Sequence, residues 1–185
     1  MARRAVVVLT ACPTLETERL VLRPFNDEDL DAYLSMMQSD AARRWLFLPE
    51  TFGRFDAWLQ MAAWLGQWEL RGTGQWALEE KATGAFVGRA GTHRPERHDW
   101  PGTEIGWTLH PDHRGKGYAT EAGARAADYA FGVIGLDEVF SCILPANTRS
   151  AAVAKRLGFE ILDRRVLSNL PSDPIDIWHL TKTAD

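Results

Sequence analysis

A basic, glycine-containing segment in the second half of the chain has the composition of an anion-binding loop. It reads Arg114-Gly-Lys-Gly-Tyr-Ala-Thr120, follows a predicted strand over Glu104–Leu109 and leads directly into a predicted helix. Backbone N–H groups at a helix N-terminus attract phosphate, and Gly115 and Gly117 would let the backbone approach it with positive φ. Arg114 and Lys116 add positive charge. The segment therefore predicts a phosphate or pyrophosphate site.

Two other phosphate-loop motifs do not match the spacing of this segment. A P-loop has the pattern Gly-x-x-x-x-Gly-Lys-Ser/Thr, whereas Lys116 lies between the two glycines. The dinucleotide fingerprint has Gly or Ala three residues after its second glycine, where this chain has Thr120. Taken alone, a basic glycine turn before a helix is equally compatible with a purely structural turn.

The elements that must position this loop alternate between strands and helices. A hairpin at Ala82-Thr83-Gly84 joins two of the strands, and Asn26 and Asn147 are predicted helix caps. Strands are predicted at 19–24, 75–80, 85–92, 104–109, 139–144, 159–166 and 175–181, and helices at 27–37, 55–70, 117–132 and 148–157. Gly158 is the expected left-handed stop of the last helix. The order predicts an α+β or mixed α/β fold with a single domain over residues 15–185.

The predicted 55–70 helix carries apolar residues on more than one face. We expect one stripe to face the main core and the other, which that core need not cover, to border the acceptor pocket; an interface with another chain is the alternative. The first stripe contains Phe55, Trp58, Leu59, Ala62 and Leu65, and the second contains Met61, Trp64 and Trp68. In the 117–132 helix the residues expected to face inward are Tyr118, Ala122, Ala126, Tyr129 and Val133.

Composition and charge exclude several classes of function. A net charge of −4 at pH 7 argues against binding to a nucleic-acid backbone. The 8 tryptophans have no accompanying basic face, so we interpret them as core or pocket lining rather than a base-stacking surface. His110 and His113 have no Cys, His or carboxylate companions at ligand spacing, and we therefore expect no metal site.

The N-terminal segment and the 2 cysteines bear on localisation. Residues 1–12 combine Arg3 and Arg4 with a short apolar run ending at Cys12, which superficially resembles an export signal. The run is at the short limit and Pro13 follows it, so we interpret residues 1–14 as an N-terminal extension. No other run is long enough to cross a bilayer, and the 2 cysteines suit a reducing compartment. A cytoplasmic protein that contacts no membrane is the expectation.

Several motifs together resemble one known family. Arg114-Gly-Lys-Gly-Tyr-Ala119 resembles the Arg/Gln-x-x-Gly-x-Gly/Ala signature of the Gcn5-related N-acetyltransferase (GNAT) superfamily. Three other segments look like its RimJ/RimL branch, namely Leu15-Glu-Thr-Glu-Arg-Leu-Val-Leu-Arg-Pro24, Glu104-Ile-Gly-Trp107, and Asn147-Thr-Arg-Ser150 continuing to Lys155-Arg-Leu-Gly-Phe159. The matches occur in family order from about residue 15 to residue 181.

The resemblance implies a fold, a co-substrate and a set of binding residues. It implies a curved mixed sheet of about six to seven strands, splayed at its centre and flanked by about four helices, with acetyl-CoA between the 104–109 and 139–144 strands. The backbone from Gly115 to Thr120 would hold the pyrophosphate, and Trp107 and Leu109 would pair with pantetheine through the main chain. The full set of implied acetyl-CoA contacts is Trp107, Thr108, Leu109, Arg114, Gly115, Lys116, Gly117, Tyr118, Ala119, Thr120 and Asn147.

The resemblance also nominates two residues for proton transfer. An acceptor amine must be neutral to attack, and Glu104 occupies the position where some relatives carry the base. Many members use a tyrosine to protonate the leaving thiolate, but residues 148–159 contain none, so the candidate is Ser150. Each residue also has a non-catalytic interpretation. Glu104 could be a surface carboxylate or one that makes a structural hydrogen bond, and the Ser150 side chain could form a local hydrogen bond to the backbone.

Two classes of function remain open after this comparison. In the first, the chain is an enzyme that transfers acetyl directly to a primary amine in a ternary complex. Its acceptor would be a protein N-terminal α-amine, as in the RimJ/RimL branch, or a small-molecule amine such as an aminoglycoside or polyamine. In the second, it is a non-catalytic acetyl-CoA-binding or regulatory domain. Both a monomer and a homodimer are compatible with the sequence.

Overall fold

The computed structural model of the protein describes residues 12–168 and 173–182, which form eight strands and five α-helices. The strands are β1 (Leu15–Glu16), β2 (Leu20–Arg23), β3 (Gln75–Glu80), β4 (Phe86–His93), β5 (Glu104–Leu109), β6 (Glu138–Ile143), β7 (Glu160–Arg165) and β8 (Ile175–Thr181). The helices are α1 (Leu30–Met37), α2 (Asp40–Leu46), α3 (Arg54–Arg71), α4 (Tyr118–Tyr129) and α5 (Thr148–Arg156). The mixed α/β class predicted from the sequence is confirmed.

All described strands belong to one sheet, in the order β1-β2-β3-β4-β5-β6-β8-β7. Successive residues of a strand point to opposite faces, and Trp76 and Ala77 of β3 accordingly belong to different cores. Trp76 packs in the core that includes α4, while Ala77 packs in the core formed by α1 and α3. The helices therefore cover both faces of the sheet.

Local signals in the sequence set several element ends correctly. The Asn26 side chain accepts from the Asp29 N–H in a capping box, and Asn147 accepts from the Ser150 N–H at 3.2 Å. Gly158 follows α5 with φ of +86°, as a left-handed stop should. β3 and β4 form the predicted antiparallel hairpin. Helix α2 and the two-residue strand β1 were not predicted.

The predicted orientation of α3 is wrong. Phe55 is 70% exposed, and Trp58 and Leu59 of the same stripe are also exposed. Met61 and Trp68 of the second stripe are instead buried, because Met61 packs in the core with α1 and Trp68 packs against Trp76. The stripe that was expected to border a pocket is therefore mostly core.

The prediction for the helix that follows the glycine loop is wrong for one residue, which was expected to face inward and is exposed. Tyr118, Ala122, Ala126 and Tyr129 are buried as expected, but Val133 is 57% exposed. The α-helix ends at Tyr129 and the chain continues as a π-helical turn over Ala130–Ile134. The wider π turn rotates the following side chains away from the expected face.

Residues 1–11 of the predicted N-terminal extension, which covers residues 1–14, lie outside the described residues. Cys12 packs against the main core, and the Pro13 carbonyl accepts a hydrogen bond of 2.7 Å from the Trp76 indole. Residues 12–14 thus contact the domain, and the boundary at residue 15 stays a prediction. Among the described helices, none has both the length and the apolar character needed to cross a bilayer.

Candidate active site

The sheet opens between β5 and β6, which are parallel neighbours. β4 and β5 pair at six positions, from Gly88↔Leu109 to His93↔Glu104. β5 and β6 share a single register pair, Glu104↔Phe140, next to a 2.9 Å hydrogen bond from the Phe140 N–H to the Thr103 carbonyl. In the described structure, β5 beyond Glu104 therefore has an edge that β6 does not pair with, and this edge offers free main-chain groups.

A cavity of about 1440 Å³ occupies this opening. One end, here called the donor end, is bordered by residues 114–121 and by the N-terminal turn of α5. The other end, here called the acceptor end, is bordered by α2, α3, β3 and β4, and the N-cap residue of α2, Ser39, reaches the donor end at the Arg114 guanidinium, 3.4 Å away. Glu104 and Gly106 of β5 line the cavity between the two ends.

The glycine loop at the donor end has the geometry of an anion cradle. Gly115 and Gly117 have φ of +79° and +87°, and Gly117 immediately precedes α4. A Cβ at Gly115 would meet no atom within 4 Å, so the backbone there is open to a ligand. Among the described residues, no acceptor is found for the backbone N–H groups of residues 115–119. The free donors at the start of a helix attract anions.

A side-chain network from the N-terminal part of the domain holds this loop. Arg19 donates to the Lys116 carbonyl at 2.8 Å and forms an ion pair with Glu121 of α4 at 2.6 Å. The Thr17 hydroxyl donates to the same carboxylate at 2.6 Å. Burial alone would raise the pKa of Glu121, but the hydrogen bonds from Thr17 and Arg19 hold that pKa below its usual value. Thr17 and Arg19, which the sequence analysis gave no role, thus fix the loop to α4.

The basic residues of the loop point in different directions. The Arg114 guanidinium donates to the Leu109 carbonyl at 3.2 Å and lines the cavity, and burial and then the charge of Arg149 lower its pKa. An anion beside Arg114 and Arg149 would relieve their repulsion. The Lys116 ammonium instead lies 3.6 Å from Glu80.

Tyr118 also turns its side chain away from the cavity. It is buried, and its hydroxyl donates a hydrogen bond to Glu80. This bond and a second one from the Thr83 hydroxyl lower the pKa of Glu80 to about 2. The side chains of Lys116 and Tyr118 therefore point away from the cavity. Only their main-chain groups are available for the predicted contact with a co-substrate.

Glu104 lies at the point where the two strands separate. Its Oε1 accepts from the Cys142 N–H of β6 at 3.1 Å, and its Oε2 lies 3.5 Å from His93 Nδ1. The side chain is 13% exposed and lines the cavity. The carboxylate therefore has a structural role across the opening, and it also forms part of the cavity lining.

Asn147 and Ser150 lie on the other wall of the donor end. Asn147 is the N-cap of α5, and both side chains line the cavity. The Asn147 side-chain oxygen accepts a hydrogen bond from the Ser150 N–H, so this contact involves only the main chain of Ser150. Among the residues that the structure describes, none forms a hydrogen bond with the Ser150 hydroxyl.

The structure brings most of the residues predicted from the sequence to one cavity. Those that line it are Glu104, Trp107, Thr108, Leu109, Arg114, Gly115, Gly117, Ala119, Thr120, Asn147 and Ser150. Several lining residues were missed, and they belong mainly to the acceptor end: Trp45, Leu46, Phe47, Gln75, Arg89, His93, Arg97 and Trp100. For helix α2, the available signal was Ser39, whose side chain caps the helix by accepting from the Ala42 N–H.

Trp64 forms a wall of the acceptor end. Its indole N–H donates to the Tyr33 hydroxyl at 3.2 Å, which fixes the ring. The ring packs edge-on to His93 with a centroid separation of 5.0 Å, and the Arg89 guanidinium carbon also lies 5.0 Å from the Trp64 ring. Of the stripe containing Met61, Trp64 and Trp68, only Trp64 reaches the cavity.

The rings of His110 and His113, the pair considered as metal ligands, pack edge to face. Their ring centroids are 6.0 Å apart, and His110 Nδ1 lies 3.6 Å from the exposed Asp112 carboxylate. Within residues 12–168 and 173–182, no three His, Cys, Asp or Glu side chains are grouped as metal ligands.

The chain is similar to known acetyltransferases in both comparisons of its sequence. A family model described as an acetyltransferase (GNAT) domain matches residues 19–160. The Bacillus subtilis protein named uncharacterized N-acetyltransferase YoaA is 30% identical over 151 residues, which cover 80% of this chain and 83% of YoaA. The Aspergillus fumigatus FsC-acetyl coenzyme A-N(2)-transacetylase is 29% identical over 165 residues, covering 82% and 67% of the two chains.

A solved structure shows the same architecture. The acetyltransferase from Agrobacterium tumefaciens superposes with a TM-score of 0.80 and 32% sequence identity. The superposition covers 93% of this chain and 96% of the bacterial protein. The two chains therefore share their fold over most of their length.

Proposed function

The chain belongs to the GNAT acetyltransferase family, and we propose that it transfers the acetyl group of acetyl-CoA to a primary amine in the cavity between β5 and β6. The observation that carries this proposal is the single register pair between these strands, because it leaves an open strand edge inside a cavity. A phosphate-type cradle lies at one end of that cavity and a carboxylate lies beside the edge.

The residues at the donor end fit acetyl-CoA. The open space above Gly115 and the unpaired N–H groups of residues 115–119 suit a pyrophosphate, and Arg114 adds charge beside them. The free edge of β5 at Trp107 and Leu109 suits the amides of pantetheine, and Asn147 faces that edge from α5. Bound there, acetyl-CoA would supply an activated acetyl thioester.

Glu104 is the group that would accept the proton of the acceptor amine. An ordinary alkylamine is mostly protonated near neutral pH, so a base must act before or during its attack. Oε1 is held by the Cys142 N–H, so Oε2 would be the atom that accepts that proton. His93, 3.5 Å from Oε2, orients the carboxylate from the neighbouring strand.

Two further groups complete the proposed chemistry. A main-chain N–H on the open edge of β5 would donate a hydrogen bond to the acetyl carbonyl and so stabilise negative charge on its oxygen. The Ser150 hydroxyl, free of any role in capping α5, would donate a proton to the departing sulfur. Both groups lie on walls of the cavity, so neither requires a rearrangement of the fold.

The acceptor is a primary amine, with two classes in view. The RimJ/RimL-like segments support the prediction of a protein N-terminal α-amine, and a small-molecule amine is the alternative. The name of the Aspergillus fumigatus relative, an acetyl coenzyme A-N(2)-transacetylase, supports acetyl-CoA as donor and nitrogen as acceptor.

The experiment that tests this proposal is turnover of acetyl-CoA, followed by thiol release, over short peptides with free N-termini and small primary amines. We expect acceptor-dependent release of CoA and a mass increase of one acetyl group on the acceptor. N-terminally blocked peptides are the matched control and should not react. Tight binding of acetyl-CoA without transfer to any amine would instead indicate a binding or regulatory domain.

A further inference from the structure

Arg89 is a buried cation at the acceptor end of the cavity. The residue is 8% exposed, lies in the middle of β4 and lines the cavity. Its Nη1 donates to Gln75 Oε1 at 3.0 Å, and its guanidinium carbon lies 5.0 Å from the Trp64 ring. Neither contact neutralises the positive charge. Within the described residues, Arg89 forms no ion pair and its buried Nε has no hydrogen-bond acceptor.

Gln75 fixes the orientation of this guanidinium. Its own amide is anchored, because Nε2 donates to the Gly91 carbonyl at 2.9 Å. The Arg89 Nη1 is therefore occupied, whereas Nε and Nη2 have no protein acceptor in the described part of the chain. These two N–H groups form the edge of a guanidinium that binds a carboxylate through two parallel hydrogen bonds.

The carboxylate on the same face of the sheet is already engaged. Strand register places Arg89, Gly91 and His93 of β4 on one face, with Glu104 paired to His93. Glu104 contacts the Cys142 N–H and His93 rather than the guanidinium. A buried charge without an anionic partner is unfavourable, because burial removes its hydration without supplying a compensating charge. Its retention here is explained if a ligand supplies the missing anion.

Between Arg89 and Glu104 the cavity is lined by Gly106 of β5, which has no side chain to fill it. A Cβ at Gly106 would lie 3.6 Å from Gln75 Nε2. The Trp64 ring lies 5.0 Å from both the Arg89 guanidinium and the His93 ring, so one indole connects the cation with the His93–Glu104 pair. Arg89, His93, Glu104 and Trp64 all line the same cavity of about 1440 Å³.

We propose that the acceptor carries a carboxylate, which pairs with Arg89 while the amine of the same molecule lies beside Glu104. This inference rests on the proposed acetyl transfer and narrows its acceptor class to amino-acid-like compounds or to N-terminal segments with an acidic residue. A polycationic acceptor such as a polyamine or an aminoglycoside would place positive charge near an uncompensated guanidinium and is therefore selected against.

The first test compares acceptors that differ only in the carboxylate. L-Alanine and L-alaninamide form one pair, and ω-amino acids of increasing length with the corresponding alkylamines form a ladder of amine-to-carboxylate distances. Ala-Asp-Gly and Ala-Asn-Gly peptides distinguish a peptide source of the anion from a free amino acid. In at least one pair, we expect the carboxylate member to have a kcat/KM higher by roughly 10- to 100-fold, the range for hydrogen bonds to charged groups.

The second test assigns that preference to Arg89. In R89M the ratio of kcat/KM between the carboxylate acceptor and its neutral partner should fall to near one, mainly through KM. R89K keeps the positive charge but lacks the pair of parallel N–H groups, so it should retain part of the preference. A partial preference in R89K would show that the loss in R89M is not caused by misfolding. R71M is the matched control, because Arg71 pairs with Glu96 outside the cavity and its loss should leave the ratio unchanged.

Two results would overturn the inference while acetyl transfer stands. One is equal kcat/KM for the charged and neutral members of every pair in the wild-type protein. The other is a carboxylate preference that persists in R89M. If no amine of either kind releases CoA, the proposed function itself fails and the inference fails with it.

Discussion

The donor end and the acceptor end of the cavity are built in different ways. The donor end consists mainly of main-chain groups from short, continuous segments, the 114–120 loop with φ of +79° and +87° at its glycines and the Asn147 cap of α5. The acceptor end consists of side chains from α2, α3, β3 and β4 that are brought together only by the folded sheet. The difference suggests that co-substrate binding depends on backbone geometry and acceptor choice on side-chain identity.

The largest expected effect concerns Glu104, which lies between the two ends. Gln keeps the shape and can still accept from the Cys142 N–H through Oε1, but it cannot take a proton. We expect kcat of E104Q to fall by roughly 10²- to 10⁴-fold. The deficit should shrink as pH rises, because more of the acceptor then arrives as the neutral amine. Steady-state kinetics from pH 6 to about 9.5 would measure it.

Glu138 provides a matched control for this prediction. It also contacts a histidine across neighbouring strands, His179 at 3.0 Å, but it lies outside the cavity. E138Q should keep wild-type kcat. A loss in E104Q of less than about threefold, or one that is independent of pH, would leave Glu104 with its structural role only.

The second effect tests the donor end alone. In G117V a β-branched residue must adopt φ of +87°, which strains the loop backbone, and its Cβ would lie 3.3 Å from Arg19 Nη2, so the guanidinium that holds the loop must move slightly. Affinity for CoA should fall by roughly tenfold or more, because the N–H groups lose their alignment with the phosphates. Isothermal calorimetry with CoA measures this loss.

The variant G84V is the control that distinguishes the effect of backbone strain from an effect on CoA binding. It has φ of +72° in the β3–β4 hairpin, and a Cβ there would meet nothing within 4 Å. G84V should destabilise the fold to a similar extent, roughly 1–2 kcal/mol for a non-glycine left-handed residue, while CoA affinity is unchanged. Equal CoA affinity of G117V and the wild type would remove the loop from the binding site.

The same contrast explains what could be predicted from the sequence. Gly115, Gly117, Asn147 and Gly158 act within a few residues of their own positions, so local pattern was sufficient to place the loop, the caps and the stop. The strand over Glu104–Leu109 was placed at its observed ends. The resemblance to a known family then supplied the position of the opening in the sheet.

The acceptor end could not be predicted in the same way. Both stripes of α3 are apolar, and only the packing of Met61 and Trp68 determines which of them faces the core. Helix α2 is short and contains two adjacent arginines, which weakened its apolar pattern. Arg89 has the sequence pattern of an ordinary polar strand residue, and its burial depends on long-range packing that includes Trp64 and Gln75. Long-range contacts decide each of these features.

The third effect tests the acceptor end alone. W64A removes the wall that contacts both His93 and Arg89, so the KM of the acceptor should rise by roughly three- to tenfold while the KM of acetyl-CoA changes less. W58A, on the exposed face of the same helix, is the control and should leave both constants unchanged. Trp68 is unsuitable for this purpose, because it is buried at 1% exposure and its loss would cost roughly 3–5 kcal/mol of stability. A larger rise for acetyl-CoA than for the acceptor would contradict a pocket role for Trp64.

The smallest effect concerns Ser150 at the donor end. S150A should lower kcat only by roughly two- to fivefold, because a thiolate is a tolerable leaving group near neutral pH. Raising the pH should not restore the rate, since added base cannot replace a missing acid, and S150T should recover activity because it keeps a hydroxyl. A deficit that disappears at high pH would assign the proton transfer to another group.

A structure of the protein with bound CoA tests the division of the cavity most directly. The pyrophosphate oxygens should lie within hydrogen-bonding distance of N–H groups in residues 115–119, and the pantetheine amides should pair with the β5 edge at Trp107 and Leu109. The sulfur should then lie between Glu104 and Ser150, with the space beside Trp64 and Arg89 left for the acceptor. CoA bound along α2 and Trp64, or outside the opening between β5 and β6, would contradict the assignment of the two ends.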